Sequence, residues 1–405
     1  MEWNVAFRKV MEMKRAYEDR FGADTLFAHD CRTSLDHWAE KLGSKEYCDI
    51  LADLHRNERD GLVLLHYRLP HAIDGTDFYK AYDELMSECR SVVIDLRNEE
   101  LALVPFRKFR NLNECTETSA DNVRERLRNA KIVEFSDKLD GSMQSARFYK
   151  GRLLMSGSKA IDREKSRRLD NGYRFVESHD NYMDMIRNHP DHTFVFEYIF
   201  EDDPHIVDYS GREKGLYLIG MRDVTNGREL HYYEVLSVAE RYGVMTTVVD
   251  NTNMDDALEY LRNADGREKE GFVVNIDGFR VKLKSDDYVS LHTSIWNLQD
   301  DNVLIDTVKN GMLDDVLPRI NEPLRSEIVK KAALVTEYIN DVELKVESYI
   351  DGFRRAGLSD KKDVMIWISE NVPERYASMV RAKYLGKDVD YIKNVKAEEI
   401  LGGPE

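Results

Sequence analysis

The sequence predicts a mixed α+β body followed by an all-helical C-terminal domain, and three observations carry that prediction. From Leu62 to about residue 283, short β-type runs recur between turn signals. After about residue 295 the strand-like runs stop. From Leu324 to Ile350, apolar residues (Ile328, Val335, Ile339, Val342, Val346) then return every three or four positions, the period of a long amphipathic helix.

The elements follow in order. Residues 1–60 read as helical: Val5, Met11, Ala16 and Phe21 are loosely periodic, and Trp38, Leu42, Ile50, Leu51 and Leu54 continue the pattern. Strands are expected at Leu62–Leu65, Ser91–Asp95, Leu101–Val104, Ile132–Phe135 and Arg152–Met155. Further strands are expected at Phe194–Phe200, Leu216–Met221, Gly271–Ile276 and Phe279–Leu283. Lys150-Gly151, Thr225-Asn226-Gly227 and Asp277-Gly278 mark turns between them. The last pair lies between two strand runs and is a hairpin signal, tying Glu270, Lys282 and Lys284 to one two-stranded unit. Helices are expected near 161–187, 235–242 and 253–263. Asn371-Val372-Pro373 breaks the later helical stretch, and Gly402-Gly403-Pro404-Glu405 forms a tail. The expected domains are 1–295, with a helical N-terminal extension over 1–60, and 296–405.

Composition narrows the classes. With 405 residues, 42% hydrophobic and 33% charged, the chain can bury a sizeable core and is not of disordered composition. No run approaches the apolar length of a membrane span, and the first residues carry no secretory pattern, so no membrane partner is expected. Cys31, Cys48, Cys89 and Cys115 are widely spaced, which argues against zinc and disulfides and for a reduced, cytoplasmic setting. A net charge of −17 disfavours general polyanion binding. Nucleic-acid contact is therefore expected only through local clusters: Arg107-Lys108-Phe109-Arg110, the stretch Arg163 to Arg168, and Lys282 with Lys284. For Arg163 to Arg168, a phosphate-contact role and a solvated, ion-paired surface weigh about equally.

The chemistry concentrates in Ser136-Asp137-Lys138-Leu139-Asp140-Gly141-Ser142. In order after it come Glu197 inside Phe194-Val195-Phe196-Glu197-Tyr198-Ile199, Glu270 before an apolar strand, and Lys282 and Lys284 on the next. A lysine amine is a poor nucleophile while protonated. Neighbouring cations or burial lower its pKa, so Lys282 and Lys284 are expected to favour a neutral Lys138 and to neutralise a phosphate under attack. Asp140, Glu197 and Glu270 are candidate holders of hydrated magnesium. Gly141 is expected to let the turn pass close to a bound nucleotide. Glu197 stands out because a carboxylate inside an apolar strand is costly unless it is paired or functional.

These motifs resemble those of the covalent nucleotidyltransferases, the polynucleotide ligases and messenger-RNA capping enzymes. Most of all they resemble the T4 RNA ligase 1 family. The specific part is Lys282-Leu283-Lys284-Ser285-Asp286-Asp287-Tyr288-Val289-Ser290-Leu291-His292, supported by Glu88-Cys89-Arg90 and by Lys108-Phe109 before Asn111-Leu112-Asn113-Glu114. The resemblance covers roughly residues 60–300. It implies a nucleotidyltransferase domain of ATP-grasp-like antiparallel sheets. It also implies Lys138 as the residue that takes AMP from ATP, with Asp140 and Gly141 completing its motif. By the same resemblance Arg90, Lys108 and Lys159 contact nucleotide and phosphate, while Glu197 and Glu270 bind ribose or hydrated metal. Lys282 and Lys284 grip phosphates, Tyr288 matches a tyrosine needed for activity, and Tyr217 stacks on adenine. Arg110 stands where the family has a second aromatic, and Ser158-Lys159-Ala160 fits the Ser-Lys-Gly pattern only with a one-residue slip.

The implied activity is ATP-dependent joining of RNA 5′-phosphate and 3′-hydroxyl ends through lysyl-AMP and RNA-adenylate. Mg2+, or Mn2+ in its place, would serve as the metal, and nicked tRNA is one expected partner of a monomeric enzyme. Cytoplasm is the expected location, that of the host if the gene is a phage's. The alternatives are a DNA ligase or capping-type nucleotidyltransferase, and an inactive ligase-like RNA-binding protein. The first would place a β-rich barrel after the paired-lysine strand, where helices are expected here. The second would have lost a motif lysine. The helical domain is expected to read RNA, by analogy.

Overall fold

A computed structural model describes residues 2–22, 34–68 and 84–402. Cys31 and the part of the helical N-terminal reading at 23–33 lie outside them, as do the last residues of the tail. The chain divides into two compact units, Met1–Val289 and Ser290–Glu405.

The first unit opens with helices α1 (Val5–Phe21), α2 (Leu35–Leu42) and α3 (Lys45–Ala52). Asn4 caps α1 by accepting the Phe7 N–H, and Gly43 closes α2 in the left-handed conformation. The helical reading of 1–60 ends too late. Leu54–Arg59 is strand β1, the edge of a sheet. Its charged residues, Arg56, Glu58 and Arg59, suit an exposed edge and hide the alternation that would have revealed a strand. β2 (Leu62–Tyr67), helix α4 (Glu84–Glu88), β3 (Arg90–Asp95) and β4 (Glu100–Leu103) follow, and the strands form an antiparallel meander in the order β1-β2-β3-β4. One face of this sheet buries Val63, Leu65, Val92 and Ile94 against Met11, Leu35 and Trp38 of the helices.

Next come β5 (Arg110–Asn111), α5 (Ala120–Asn129), β6 (Val133–Lys138), β7 (Ser142–Tyr149) and β8 (Arg152–Gly157). Helices α6 (Arg167–Ser178) and α7 (Asp180–Asn188) precede β9 (His192–Ile199) and β10 (Gly215–Asp223). Then follow α8 (Tyr232–Tyr242), β11 (Val249–Asp250), α9 (Met254–Asn263), β12 (Gly271–Ile276) and β13 (Phe279–Lys284). β10-β9-β7-β8 make one antiparallel sheet. The other, β11-β6-β12-β13-β5, is antiparallel except where β5 runs parallel to β13. The expected hairpin at Asp277-Gly278 is present, both residues having positive φ (49° and 93°), as its tight turn demands.

Helix α10 (Asp286–Leu298) leads into α11 (Asp301–Lys309), α12 (Leu313–Val316), α13 (Leu324–Arg355), α14 (Lys361–Asn371), α15 (Glu374–Tyr384) and α16 (Ala397–Leu401). The periodic stretch is the 32-residue α13, which buries Val335, Val342, Val346 and Ile350. Pro373 separates α14 from α15, as its missing N–H predicts. Among the described residues no helix is long and apolar enough to cross a membrane.

Candidate active site

Three strands of the five-stranded sheet set side chains in cross-strand rows. Gly271 of β12 lies between Lys138 of β6 and Lys284 of β13, Val273 between Ser136 and Lys282, and Asn275 between Glu134 and Arg280. Rows two residues apart share a sheet face at steps of about 7 Å. Lys138, Ser136, Val273, Lys282, Glu134, Asn275 and Arg280 line a cavity of about 280 Å³. Met143, Glu197 and Ile219 of the other sheet, with Phe106, Phe109 and Arg90, also line it. The register of three strands thus brings together residues some 130 positions apart.

Gly141 makes the junction between the two sheets. A Cβ there would lie 2.6 Å from the Tyr198 carbonyl oxygen and 2.9 Å from Glu197 Cγ. The glycine is therefore required by the close approach of β9, which brings Glu197 beside the Lys138 turn. Gly141 also lines the cavity, where it is expected to pass close to a bound nucleotide. Strand packing is the constraint visible in the structure.

Lys138 Nζ donates to Glu270 Oε2 at 2.6 Å, and Lys284 Nζ reaches the other oxygen of the same buried carboxylate at 2.9 Å. Burial alone would lower the Lys138 pKa, but Glu270 and Glu197 outweigh it and hold the ammonium above its ordinary value. Burial pushes Glu197 up to about 7, with Lys138 opposing. The expectation that Lys282 and Lys284 make Lys138 neutral is corrected here: the acids beside it dominate. Lys284 is spent on Glu270 and lies over the Tyr288 ring, 5.0 Å from its centroid, and does not line the cavity.

Lys282 is the lysine with the depressed pKa. Burial and then the charges of Arg90, Lys108, Lys138 and Lys284 hold it well below the ordinary value. Its Nζ sits 4.7 Å from the Phe109 ring centroid, with the Arg90 guanidinium 5.2 Å from the same ring. Arg90 Nη1 is buried without a hydrogen-bond partner. Lys108 Nζ donates to the Tyr67 hydroxyl at 3.0 Å, a partner that leaves its charge uncompensated. A buried donor without an acceptor beside crowded cations fits a polyphosphate.

Asp140 is not among the residues lining the cavity. One carboxylate oxygen accepts from the backbone N–H groups of Ile206 and Val207 at 2.9 and 3.1 Å, and the other from the Tyr288 hydroxyl at 2.8 Å. His205 Nδ1 lies 3.3 Å from it, and His205 Nε2 lies 3.1 Å from Asp203, which Arg168 pairs in turn. Burial would raise Asp140, but His205, the Val207 N–H and the Tyr288 hydroxyl bring it down to about 2. Burial would lower His205, but the two aspartates hold it up to about 10. Asp140 is thus a latch for the turn carrying Lys138, with Tyr288 as its partner. Asp140, expected to hold metal, and Tyr288, expected to contact nucleotide, are thus joined to each other and stand outside the cavity lining.

Tyr217 is also displaced from its expected role. It is buried with Leu139, Ile199 and Tyr209 and donates to the Glu213 carbonyl at 2.7 Å, outside the cavity lining. Lys159 is exposed and lies outside the cavity too, although its neighbour Ser158 lines it. In the stretch from Arg163, Arg163 pairs with Asp170 and Glu177, Arg167 with Asp202 and Arg168 with Asp203, so the ion-paired reading holds there. Sequence reasoning missed His205, Phe106, Arg280 and Glu134. No spacing marks His205, while the β6 and β13 alternation running back from Lys138 and Lys282 would have found Glu134 and Arg280.

For a divalent cation the fit is narrower than expected. Glu270 is committed to two lysines and Asp140 to its latch, which leaves Glu197 as the expected acid that lines the cavity. Among the described residues no three His, Cys, Asp or Glu side chains converge as a metal group. Magnesium bound through one carboxylate, water and substrate phosphates matches that supply.

Residues 88–288 match the model of a protein family described as RNA ligase. A provisionally named RNA ligase of Thermovibrio ammonificans is 26% identical over 257 residues, 60% of this chain and 63% of that protein, so the chain spans under two thirds of that relative. An archaeal ATP-dependent RNA ligase matches 77% of this chain and 83% of its own at 16% identity and a TM-score of 0.46. A mutant Naegleria gruberi RNA ligase with ATP and Mn matches 42% and 55% at 17% identity and a TM-score of 0.35.

Proposed function

We propose that this chain is an ATP-dependent RNA ligase, on the match of residues 88–288 to the RNA ligase family model and on the cavity chemistry. One observation carries the reading: Lys138 lines the same cavity as the half-buried cations Arg90 and Lys282, with Arg90 Nη1 buried and unpaired, so a phosphate chain bound there lies within reach of a nucleophile.

The Lys138 ammonium first gives a proton to the adjacent Glu270 carboxylate, and the neutral Nζ then attacks the ATP α-phosphorus. A nitrogen–phosphorus bond forms, the bond to pyrophosphate breaks, and the second nitrogen proton is lost to solvent. Arg90, Lys108 and Lys282 neutralise the departing pyrophosphate. Glu197 would hold a magnesium or manganese ion there, which would supply further charge neutralisation. An RNA 5′-phosphate oxygen then attacks the AMP phosphorus, releasing Lys138, and an RNA 3′-hydroxyl displaces AMP to seal the strand. The apolar lining of Met143, Ile219 and Val273 suits a nucleobase. The helical unit Ser290–Glu405 is the candidate reader of the RNA, nicked tRNA being one fitting substrate, in the cytoplasm.

The DNA ligase reading is less favoured, because helices rather than a β-barrel follow β13 among the described residues. The test is AMP labelling from α-labelled ATP. Wild type is expected to gain one AMP and Lys138→Ala none, with its fold intact. Labelling of that variant removes Lys138 as nucleophile. Efficient sealing of nicked duplex DNA with little joining of a 5′-phosphorylated RNA oligomer would favour the DNA ligase.

A further inference from the structure

Strand β3 contains one residue that its pleat does not need. Pairing with β2 runs Leu64 to Val93 and Leu65 to Val92, then steps to His66 with Arg90, so Ser91 is the extra residue of a β-bulge. Its φ is 68°, in the left-handed region where a side chain is strained and glycine is the usual occupant. Asp60, Glu99, Lys150 and Asp277 take such angles in hairpin turns, whereas Ser91 takes it inside a strand. Alternate residues of a strand share a face, and Val92 and Ile94 pack into the core with residues of α1 and α2. Unbroken alternation would send Arg90 into that apolar core. With Ser91 inserted, Cys89 joins Val92 and Ile94 there, and Arg90 lines the cavity with its Nη1 buried and without a hydrogen-bond partner.

The serine's own hydroxyl holds the strained conformation. Ser91 is fully buried, and its Oγ donates to the Ser158 carbonyl at 2.6 Å, while His66 Nδ1 lies 3.2 Å from the same atom. Ser158 is itself part of the cavity lining. The bulge is thus pinned between the neighbouring strand and the cavity wall. Strained residues persist where the surrounding contacts fix them, and bulges beside active sites re-aim side chains. We propose that Ser91 is the positioning residue that turns Arg90 from the core into the nucleotide cavity. The left-handed bulge is what ATP binding requires, and the hydroxyl lets a residue other than glycine hold it. This rests on the ligase reading and deepens it, since it names what places a cation against the triphosphate.

The test measures AMP labelling of the full-length protein against ATP concentration, which separates the half-saturating concentration from the limiting rate. Ser91→Ala keeps a Cβ in the left-handed region and loses the hydroxyl. It is expected to raise half-saturating ATP about tenfold and to change the limiting rate by less than about threefold. Ser91→Gly, which takes that conformation without strain, is expected to stay within about threefold of wild type in both. In an Arg90→Ala background Ser91→Ala is expected to add nothing, because the side chain it aims is gone. Wild-type saturation in Ser91→Ala overturns the proposal. So does a Ser91→Gly as impaired as Ser91→Ala, or an effect that persists in full without Arg90. Should Ser91→Ala fail to fold, Ser91→Thr takes its place. It keeps a hydroxyl but its branched Cβ resists positive φ, so raised half-saturation supports the proposal and wild-type saturation overturns it. A wild type that binds ATP yet takes no AMP would strike the ligase reading alone, and ATP affinity by equilibrium dialysis then carries the same comparisons. Absence of any ATP binding overturns both.

Discussion

Glu270 is the residue on which the nucleophile depends. Its two oxygens are shared between Lys138 at 2.6 Å and Lys284 at 2.9 Å, so removing one lysine strengthens its grip on the other. Lys284→Ala is therefore expected to hold the Lys138 proton more tightly and to move the pH profile of AMP labelling to higher pH. An unchanged profile would show that Lys284 does not influence the nucleophile. The latch residues respond to pH through stability. Asp140, held down to about 2, contributes stability that is present above its unfolded value and lost as pH falls through that range. His205, held up to about 10, contributes fully below about pH 6.5 and loses its contribution as pH rises toward 10. Denaturant unfolding of wild type should thus weaken between pH 7 and 10, and His205→Asn should flatten that decline. A decline of equal slope in the variant would assign it to other groups. Glu197 and Lys282 could be read from sequence because their neighbours are apolar strand residues that make a charge conspicuous, and Lys138 because its Lys-x-Asp-Gly turn precedes them in order. His205 could not, since its partners Asp140 and Asp203 are brought to it by a loop whose path no local period encodes.

At the scale of elements, strands with an apolar face were legible and polar or charged ones were not. β9 and β12 bury Phe194, Phe196, Phe272 and Val274 and announced themselves. β7 went unread because its buried positions include Gln144 and Ser145, polar residues that break the alternation. α5 was equally silent, with Val123 its buried residue. The element that matters most to the site is the β6–β7 turn, where Gly141 meets the β9 backbone. Gly141→Ala must push Tyr198 or Glu197 aside, since its Cβ would lie 2.6 Å from a main-chain oxygen that cannot rotate away. We expect a loss of about 1–3 kcal/mol in unfolding free energy, with a larger fractional loss of AMP labelling because Glu197 moves with the strand. Unaltered stability and labelling would mean that the two sheets can separate at no cost.

At the scale of the whole molecule, each unit has its own apolar interior. Val63, Ile94, Phe194, Leu218, Val274 and Leu283 belong to cores within Met1–Val289, whereas Val346, Ile350, Val364, Ile368 and Val380 form a core within Ser290–Glu405. The sequence signalled this division, because strand-like alternation gives way to a helical period. The division at Val289 falls inside α10, which begins within the paired-lysine motif at Asp286. The cavity lining lies entirely within the first unit, as does the Asp140 latch through Tyr288. Deleting residues 300–405 keeps α10 whole and removes none of those residues. The truncated protein is therefore expected to take AMP from ATP at a rate within a few-fold of wild type, while joining of RNA ends falls much further, because a chain of net charge −17 has little general attraction for RNA. Labelling of both proteins beside a joining assay on a 5′-phosphorylated RNA separates the two effects. A soluble truncation that takes no AMP would make the helices part of the catalytic machinery, and one that still joins RNA at the wild-type rate would take RNA reading away from them.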